Sequence, residues 1–431
     1  MKIGLVSLGC AKNRVDSENL LGRLTHAGHE IVADPAQADA IFVNTCGFIE
    51  AAKQESIGAI FEMTKYKKDG ARLYVTGCLA QRYADALMAE IPEIDGLLGV
   101  WDYDRAVAML GSAARERHTG GSERFPDGER VLTTPAYSAY VKISDGCDNC
   151  CAYCAIPLIR GGYLSRPFEE IISECERLAA GGVTELTLIA QDTSRYGIDR
   201  YGRVRLPELL ERVSAIESVK WVRVLYCYPD TTDDALIDAI ARLPKVAPYL
   251  DLPLQHINAE ILTEMNRRGT PEAIKARLAR CKSLGITLRT TMIVGFPGET
   301  DEQFQELMDF VRETRFDRLG AFAYSAEEET AAAEMPGQID EEIKQLRLDQ
   351  LLTMQQGISL ELNEARVGEV CEALVEGIED GVYIARSIRE APESDGVIQF
   401  TSAAAHAPGD YVRVRITGAD AYDLYGEATE S

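Results

Sequence analysis

Three closely spaced cysteines constrain this 431-residue chain more than any other feature of its sequence. Cys147, Cys151 and Cys154 form a CxxxCxxC loop that follows a strand-like run of residues. Three thiols in so short a loop cannot all pair with one another, and thiolates are soft donors that select iron–sulfur clusters or zinc. The loop is therefore predicted to bind a metal centre.

Cys150 leaves two kinds of metal centre open. Cys147 with Cys150 and Cys151 with Cys154 are two CxxC pairs, as in a zinc knuckle, although structural zinc sites usually separate their pairs by about a dozen residues or more. The three cysteines without Cys150 would leave one iron of a four-iron cluster open to a substrate or cosubstrate. We favour the cluster and interpret Cys150 as a spare thiol.

Length and charge limit the class of protein. A chain of 431 residues suggests two or three domains. It has no apolar run of about 18 residues and no signal-peptide order at its start, so we expect a soluble, cytoplasmic protein that does not contact a membrane. With 69 acidic and 45 basic residues, the net charge of −24 disfavours nucleic acid as the direct substrate and suits a basic partner.

The first 112 residues alternate between strand-like and helix-like runs, which predicts an open parallel α/β domain. Cys10, Cys46 and Cys78 each follow a strand-like run. Because the carboxyl ends of parallel strands lie along one edge, these thiols are expected to converge there as a second three-thiolate cluster site. The alternative is three separate buried thiols. Asp16 or Ser17 is expected to cap the helix after the first strand.

Residues 113–135 are polar, rich in glycine and without periodicity, as linkers are. Residues 136–365 then alternate six strand-like runs with helical ones, which predicts a partial (β/α)6 barrel of TIM-like design. Functional residues of such barrels lie at the carboxyl ends of the strands. The CxxxCxxC loop follows the first strand, Gln191-Asp192-Thr193 follows the second, Gln255-His256 the fourth, and the segment from Gly295 to Glu299 the fifth.

Two residues near these strand ends have more than one interpretation. Arg160 either faces the site or is solvated, and solvation is the more common state of an arginine near a loop. His256 is a proton relay, a ligand, or a hydrogen-bonded histidine of the barrel.

Residues 366–431 read as short strands separated by turns, which predicts a small all-β domain. This tail has five basic and thirteen acidic residues, a net charge of −8. It therefore lacks the basic, aromatic-rich face with which small barrels bind nucleic acid.

Together these motifs resemble the radical S-adenosylmethionine methylthiotransferase family over the whole chain. The CxxxCxxC loop is similar to the radical S-adenosylmethionine signature, the segments around Cys10, Cys46 and Cys78 are similar to the family's amino-terminal domain, and the tail is similar to a TRAM domain. The resemblance implies an amino-terminal methylthiotransferase domain at 1–112, a linker at 113–135, a radical S-adenosylmethionine core at 136–365 and a TRAM domain at 366–431.

The resemblance also implies cofactors and roles. Cys147, Cys151 and Cys154 would bind one 4Fe–4S cluster, which cleaves S-adenosylmethionine to a radical, and Cys10, Cys46 and Cys78 would bind a second 4Fe–4S cluster, which delivers a methylated sulfur. Two molecules of S-adenosylmethionine would be used per turnover. The residues implied in binding it are Tyr153, Gln191, Asp192, Gln255, Gly295 and Glu299.

Four segments are similar to one branch of the family: residues 7–18, 188–197, 253–256 and 422–426. That branch methylthiolates the β-carbon of an aspartate in the twelfth protein of the small ribosomal subunit. This implies a basic protein substrate, met free or on the assembling ribosome, together with a reducing electron donor and a sulfur donor. The alternatives are a tRNA methylthiotransferase acting on a hypermodified adenosine and a non-catalytic iron–sulfur or zinc protein.

Overall fold

The computed structural model of the chain describes residues 1–126 and 128–429, apart from the side chains of Lys68 and Asp69. It consists of an amino-terminal parallel sheet, a central partial barrel and a carboxyl-terminal closed barrel. The α/β fold predicted from the sequence is thus confirmed. Within the described residues, no helix combines the length and apolar character needed to cross a membrane.

The amino-terminal unit is a layered α/β structure. Its elements are β1 (Lys2–Ser7), α1 (Ala11–His26), β2 (Glu30–Ile31), β3 (Ala40–Thr45), α2 (Glu50–Met63), β4 (Arg72–Gly77), α3 (Cys78–Arg82), α4 (Ala84–Glu90), β5 (Gly96–Leu98), α5 (Ala106–Gly111) and β6 (Glu116–His118). All neighbouring strands pair in parallel, in the order β2-β1-β3-β4-β5-β6. The carboxyl ends of β1, β3 and β4 therefore lie side by side.

Two local predictions in this unit are wrong. The helix after β1 begins at Ala11, so Asp16 and Ser17 lie inside it and are buried instead of capping it. These polar side chains are stable there because partners from other segments reach them. Strand β6 lies inside the segment predicted as a linker, because its backbone completes the edge of the sheet next to β5.

The central unit is a six-stranded parallel barrel that is open on one side. After β7 (Ser138–Lys142) come two short strands outside the barrel, β8 (Ser144–Asp145) and β9 (Leu164–Ser165). The other five barrel strands are β10 (Glu185–Ile189), β11 (Trp221–Val224), β12 (Tyr249–Asp251), β13 (Thr287–Val294) and β14 (Arg318–Ala323). Parallel pairing joins β7, β10 and β11, and also β12, β13 and β14. A bridge from Val222 to Val246 joins the two halves, while β8 and β9 form a separate antiparallel pair.

The helices of this unit are α6 (Ile156–Arg160), α7 (Phe168–Ala180), α8 (Ile198–Tyr201), α9 (Leu206–Ser214), α10 (Asp234–Arg242), α11 (Ala259–Glu264), α12 (Pro271–Ser283), α13 (Asp301–Thr314) and α14 (Glu341–Glu364). All but α6 and α8 cover the outside of the barrel, and the main hydrophobic core lies between them and the strands. Helix α6 packs instead against α3 of the amino-terminal unit, and α8 lies beside β9. Because side chains alternate along a strand, every second residue points into the lumen instead. Tyr140 and Tyr249 are two such residues, and both pack on Ala391 of the third unit.

The third unit is a closed barrel of antiparallel and parallel pairs. Its strands are β15 (Val370–Glu379), β16 (Val382–Ser387), β17 (Ile398–Thr401), β18 (Tyr411–Ala419) and β19 (Leu424–Ala428). Strand β19 was not predicted, because the sequence analysis assigned no strand after residue 417. The loop between β16 and β17, residues 388–397, reaches from this unit into the open side of the central barrel.

Candidate active site

The CxxxCxxC loop lies at the carboxyl end of the first barrel strand and is fixed by backbone and side-chain hydrogen bonds. The amide of Cys147 donates to Gly161 O (3.1 Å), and the amide of Cys154 donates to Cys151 O (3.0 Å). Asn149 Nδ2 donates to Asp192 Oδ2 (2.8 Å), which ties the loop to the end of the second strand. The loop is therefore held in one shape by the surrounding barrel.

The thiols of this loop lie within one another's electrostatic range. Burial raises the pKa of Cys147 to about 11, with a further increase from the charge of Asp192. Burial, and then the neighbouring Cys151, raises the pKa of Cys154 well above its ordinary value. Cys147 and Cys154 therefore favour their neutral form unless a cation compensates their charge. A soft metal centre is such a cation, so the donor set fits an iron–sulfur cluster.

Arg267, which the sequence analysis missed, also faces this loop. Its Nη1 lies 3.8 Å from Cys151 Sγ and 3.3 Å from Tyr153 Oη, and the residue is nearly buried. Tyr228 Oη approaches the same sulfur at 3.8 Å. Arg267 follows α11 on a stretch without a distinctive motif, so nothing local in the sequence indicated its position.

The amino-terminal thiols converge at the edge of their sheet. Cys10 lies just before α1, Cys46 directly after β3, and Cys78 is the first residue of α3. Burial, with smaller contributions from the charges of Cys78 and Cys10, raises the pKa of Cys46 to about 12. Gly9, the neighbour of Cys10, lies against Cys46, and Gly77, the neighbour of Cys78, lies against Thr45. This is the convergence expected from the strand order.

Glycines give the chain room at this edge. Gly77 has φ of +96°, and a Cβ there would lie 2.3 Å from Asn44 Oδ1 and 2.5 Å from Thr45 O. A Cβ on Gly9, at φ of +88°, would lie 3.3 Å from Cys46 Sγ. Both positions favour glycine, because other residues rarely adopt this backbone conformation. The two glycines thus let the thiols approach closely.

Neither set of thiols is closed around a single ion. Among the residues that the structure describes, no three or more His, Cys, Asp or Glu side chains lie at the spacing of one metal ion. The fit to iron–sulfur clusters rests instead on the donor chemistry and the convergence of each set.

A buried ion network joins the two thiol sets. Arg160 Nη2 lies 3.5 Å from Cys78 Sγ and 2.8 Å from Asp16 Oδ2, and Arg160 Nη1 lies 3.3 Å from Asp145. Lys142 Nζ binds Asp145 (3.0 Å) and also Asp16. All four charged side chains are at most 4% exposed. Arg160 thus faces the site, and its predicted solvation is wrong, because two carboxylates replace the water it would otherwise need.

The network keeps its carboxylates ionised. Burial alone would raise the pKa of Asp145, but the charges of Lys142 and Arg160 hold it well below its ordinary value. Asp16 comes from α1, whereas Asp145, Lys142 and Arg160 come from the barrel. The network therefore fixes the amino-terminal sheet over the mouth of the barrel.

Several polar side chains implied in binding S-adenosylmethionine lie at neighbouring strand ends. Gln191 Oε1 and Gln255 Oε1 are buried and have no hydrogen-bond partner within the described chain. Asp192 Oδ2 is already bound to Asn149, and burial raises its pKa above the ordinary value. The free amide oxygens fit ligand donors such as an amine or a hydroxyl.

Glu299 has one engaged and one unengaged oxygen. Oε2 accepts hydrogen bonds from the amides of Gly295 and Phe296 (3.1 Å for Phe296), whereas Oε1 has no hydrogen-bond partner among the described residues. His256 Nδ1 accepts from Asn258 N (3.0 Å), and His256 Nε2 lies 3.8 Å from Glu299. Glu299 thus holds the turn at Gly295, and His256 is at least partly a structural residue.

Three protein-family models match the three units. The Uncharacterized protein family UPF0004 matches residues 2–99, the Radical SAM superfamily matches residues 141–311, and the TRAM domain matches residues 367–429. The matches follow the division of the structure into sheet, partial barrel and closed barrel.

Curated relatives match from end to end. The ribosomal protein uS12 methylthiotransferase RimO of Desulforamulus reducens is 49% identical, with 99% of both chains covered. The protein of the same name from Pelotomaculum thermopropionicum is 51% identical, with 99% of both chains covered. The one from Desulfitobacterium hafniense is 47% identical, with 100% of this chain and 99% of that one covered.

Solved structures share the fold at much lower identity. The radical S-adenosylmethionine methyltransferase TsrM from Kitasatospora setae, with cobalamin and a [4Fe-4S] cluster bound, has a TM-score of 0.57 at 14% identity. The alignment covers 92% of this chain and 81% of that one. The cobalamin-dependent S-adenosylmethionine radical enzyme OxsB aligns with a TM-score of 0.53 at 14% identity, over 83% of this chain and 56% of that one. These likenesses concern the fold alone.

Proposed function

The chain belongs to the ribosomal protein uS12 methylthiotransferase RimO family, and we propose that it adds a methylthio group to the β-carbon of an aspartate in protein uS12. A β-carbon of aspartate carries no acidic proton that a side-chain base could remove at neutral pH. Replacing its hydrogen with sulfur therefore requires a radical, and the radical S-adenosylmethionine fold of residues 141–311 supplies one.

The observation that carries the proposal is a direct contact between the barrel unit and the second thiol set. Arg160 leaves the barrel loop that bears Cys147, Cys151 and Cys154, yet its guanidinium lies 3.5 Å from Cys78 Sγ of the other set. The two thiol sets are therefore held on units that pack directly against each other. This arrangement suits a reaction in which hydrogen leaves and sulfur arrives at the same atom.

We assign the two sets different roles. Cys147, Cys151 and Cys154 would hold the cluster that binds S-adenosylmethionine, and the set of Cys10, Cys46 and Cys78 would hold the second cluster. These groups, when bound, supply a hydrogen-abstracting radical on one side and a methylthio group on the other. The protein keeps the two sites apart, excludes water by burying the network around Arg160, and presents the substrate carbon to each.

The strand-end side chains would orient S-adenosylmethionine. Gln191 and Gln255 offer unpartnered amide oxygens to its amine and ribose. Asp192 binds the cluster loop through Asn149, and Tyr153 is part of that loop, with its hydroxyl next to Arg267. Gly295 and Glu299 form the turn on the adenine side. Arg267 is a further cation near Cys151 that would balance the charge of the loop.

We further propose that the substrate is recognised as a basic protein. The chain has a net charge of −24, and its closed barrel, the TRAM unit, is acidic, so long-range electrostatics attract a basic partner and repel RNA. A reducing electron donor and a sulfur donor complete the reaction, and the cytoplasm is the compartment where all of these meet.

The test is intact-protein mass spectrometry of small-subunit ribosomal proteins from the source cells, with the gene present and deleted. We expect protein uS12 alone to lose a methylthio-sized increment on deletion. Complementation with the Cys151→Ala variant should not restore it, whereas complementation with Cys175→Ala, which alters a buried thiol of the outer helix α7, should. An unchanged uS12 together with a methylthioadenosine missing from tRNA would assign the protein to the tRNA-modifying branch instead.

A further inference from the structure

Lys12 is a largely buried residue that brings an ammonium group to the candidate active site. It is the second residue of α1, only two residues after Cys10, and is 8% exposed. Its Nζ lies 3.1 Å from the centroid of the Tyr226 ring, at the end of the third barrel strand. Among residues 1–126 and 128–429, this Nζ has no hydrogen bond and no carboxylate within 4.0 Å.

The other buried cations near the two thiol sets, Lys142, Arg160 and Arg267, already have partners. Lys142 and Arg160 share Asp16 and Asp145, and Arg267 donates to Pro253 O and to Tyr153 Oη. Burying an ammonium group without a hydrogen-bonded anion is strongly unfavourable. Lys12 is thus a cation whose partner is expected to come from a bound molecule.

Lys12 is close along the chain to one thiol set and contacts a strand end that leads to the other. Tyr226, under its ammonium group, is two residues from Tyr228, whose Oη lies 3.8 Å from Cys151 Sγ. The Cα atoms of Tyr226 and Tyr228, two positions apart in the chain, are separated by at most about 7 Å. Cys10 lies two residues away on the other side. The ammonium group is therefore tied by short chain segments to a thiol of each set.

From this placement we propose that Lys12 binds the side-chain carboxylate of the target aspartate. This inference rests on the proposed function. The β-carbon of aspartate is bonded directly to the carboxylate carbon, so an ammonium group that binds the carboxylate also fixes the position of the reacting carbon. The ring of Tyr226 holds one side of the ammonium group by a cation–π contact and leaves donors for the carboxylate.

A nearby carboxylate of the protein does not take this place. Asp251 Oδ2 accepts the amide of Tyr226 (2.9 Å), and Asp251 Oδ1 lies 4.0 Å from Arg289 Nε. Asp251 is thus engaged by a backbone donor and a different cation. A competing explanation is that Lys12 only balances the charge of the amino-terminal cluster, and the experiment must separate the two.

The experiment measures binding of purified uS12, and of uS12 with the modified aspartate changed to asparagine, to the cluster-loaded enzyme. The wild type should prefer the aspartate form about tenfold to a hundredfold, since a buried charge-assisted hydrogen bond is at stake. Lys12→Met should abolish that preference, binding both forms as weakly as the wild type binds the asparagine form. Lys12→Arg should retain it.

The matched control is Lys220→Met. Lys220 also stacks on a tyrosine, with its Nζ 3.9 Å from the Tyr411 ring centroid. It is exposed, however, and precedes β11, whereas Tyr226 follows the other end of that strand. This variant should keep the full preference for aspartate. Iron content, measured in parallel, shows whether Lys12→Met still holds both clusters.

Three results would overturn the inference. The wild type could bind both forms equally, Lys12→Met could retain the preference, or Lys12→Met could weaken both forms alike while losing iron, as the charge-balancing role predicts. If the wild type modifies uS12 but shows no preference, the role of Lys12 fails and the proposed function stands. If the wild type neither binds nor modifies uS12, the proposed function itself fails.

Discussion

At the scale of single residues, the site depends on a few side chains that serve two partners at once. Arg160 contacts a thiol of the amino-terminal set and two carboxylates, and Asn149 ties the cluster loop to Asp192. Single substitutions here should therefore have selective effects, which separate the two thiol sets from each other.

Cys10→Ala is the first such substitution. If the amino-terminal set supplies sulfur and the barrel set supplies the radical, this variant should lose the methylthiolated product but still form 5′-deoxyadenosine from S-adenosylmethionine. Chromatographic assay of both products after reduction checks this. Loss of 5′-deoxyadenosine with the barrel cluster intact would contradict the division of roles. Cys151→Ala should lose both products.

Gly77→Ala tests the geometry of the amino-terminal edge. An added methyl group would collide with Asn44 and Thr45 at a positive φ, so Cys78 must shift. We expect the iron content to fall from about eight to about four atoms per chain, as one of two four-iron clusters is lost. Gly58→Ala, inside α2 with nothing within 4 Å, is the matched control and should keep its iron. Equal iron contents in both variants would contradict the assignment.

At the scale of elements, the loop of residues 388–397 acts as a side wall of the barrel. The edge strands β7 and β14 do not pair with each other, and the loop contacts both: Tyr140 Oη of β7 donates to Glu393 (3.1 Å), and Arg318 of β14 lies 3.4 Å from Glu390. Ala391 packs on Tyr140 and Tyr249 of the lumen, and Ile388 O accepts from Arg223 (3.0 Å). The TRAM unit thus contributes a loop to the central barrel, and side chains that point into the barrel lumen hold this loop in place.

Tyr249→Phe should loosen this wall. Tyr249 Oη donates to Asp395 Oδ2 (2.7 Å), the same atom that accepts the amide of Ala391 (2.8 Å). Losing the hydroxyl should lower the free energy of unfolding by about 1–3 kcal/mol and speed hydrogen exchange at residues 388–397. Tyr140→Phe should lower the free energy of unfolding by less than Tyr249→Phe. The acceptor of Tyr140, Glu393, is half exposed and also binds Arg14 at 2.5 Å. The reverse order in urea unfolding would show that the loop is held elsewhere.

At the scale of the whole molecule, buried ion pairs hold the three units together. Asp16 joins the sheet to the barrel, and Glu185 joins the barrel to the TRAM unit through Arg386 at 2.7 Å. Burial alone would raise the pKa of Glu185, but Arg386 and Arg223 hold it below its ordinary value. The stability of the assembled chain should therefore depend on pH.

The sign of that dependence follows from the lowered pKa values. Glu185 and Asp145 bind protons more weakly in the folded than in the unfolded state, so their contribution is complete above about pH 5. It is lost progressively as the pH falls through the folded pKa values. The free energy of unfolding, from urea titrations, should thus decrease between about pH 5 and pH 3.

Glu185→Gln should make this decrease with pH smaller. It should also lower the free energy of unfolding near neutral pH by about 3–5 kcal/mol, because Arg386 loses its buried partner. Glu208→Gln, which alters an exposed pair with Arg205, should change little. A wild-type free energy that rises on acidification would contradict the account.

Sequence alone determined the features that depend on short spacing and on period. The CxxxCxxC loop, the alternation of strands and helices, and the three cysteines after parallel strands are local patterns, and the order of units and the family followed from them. The roles of the individual cysteines remain predictions. Local patterns also misplaced the start of α1 and missed β6 and β19, because short edge elements are stabilised mainly by their neighbours.

Only the tertiary structure decided which charged side chains face the site. The sequence favoured a solvated position for Arg160 and a helix-capping position for Asp16. Both side chains are buried, and they bind each other although they lie more than 100 residues apart in the chain. Lys12 meets Tyr226, and the loop of residues 388–397 meets the barrel lumen, by the same kind of long-range contact. The free energy of burying a charge depends on partners that periodicity does not encode, so these positions follow from the packing of the three units.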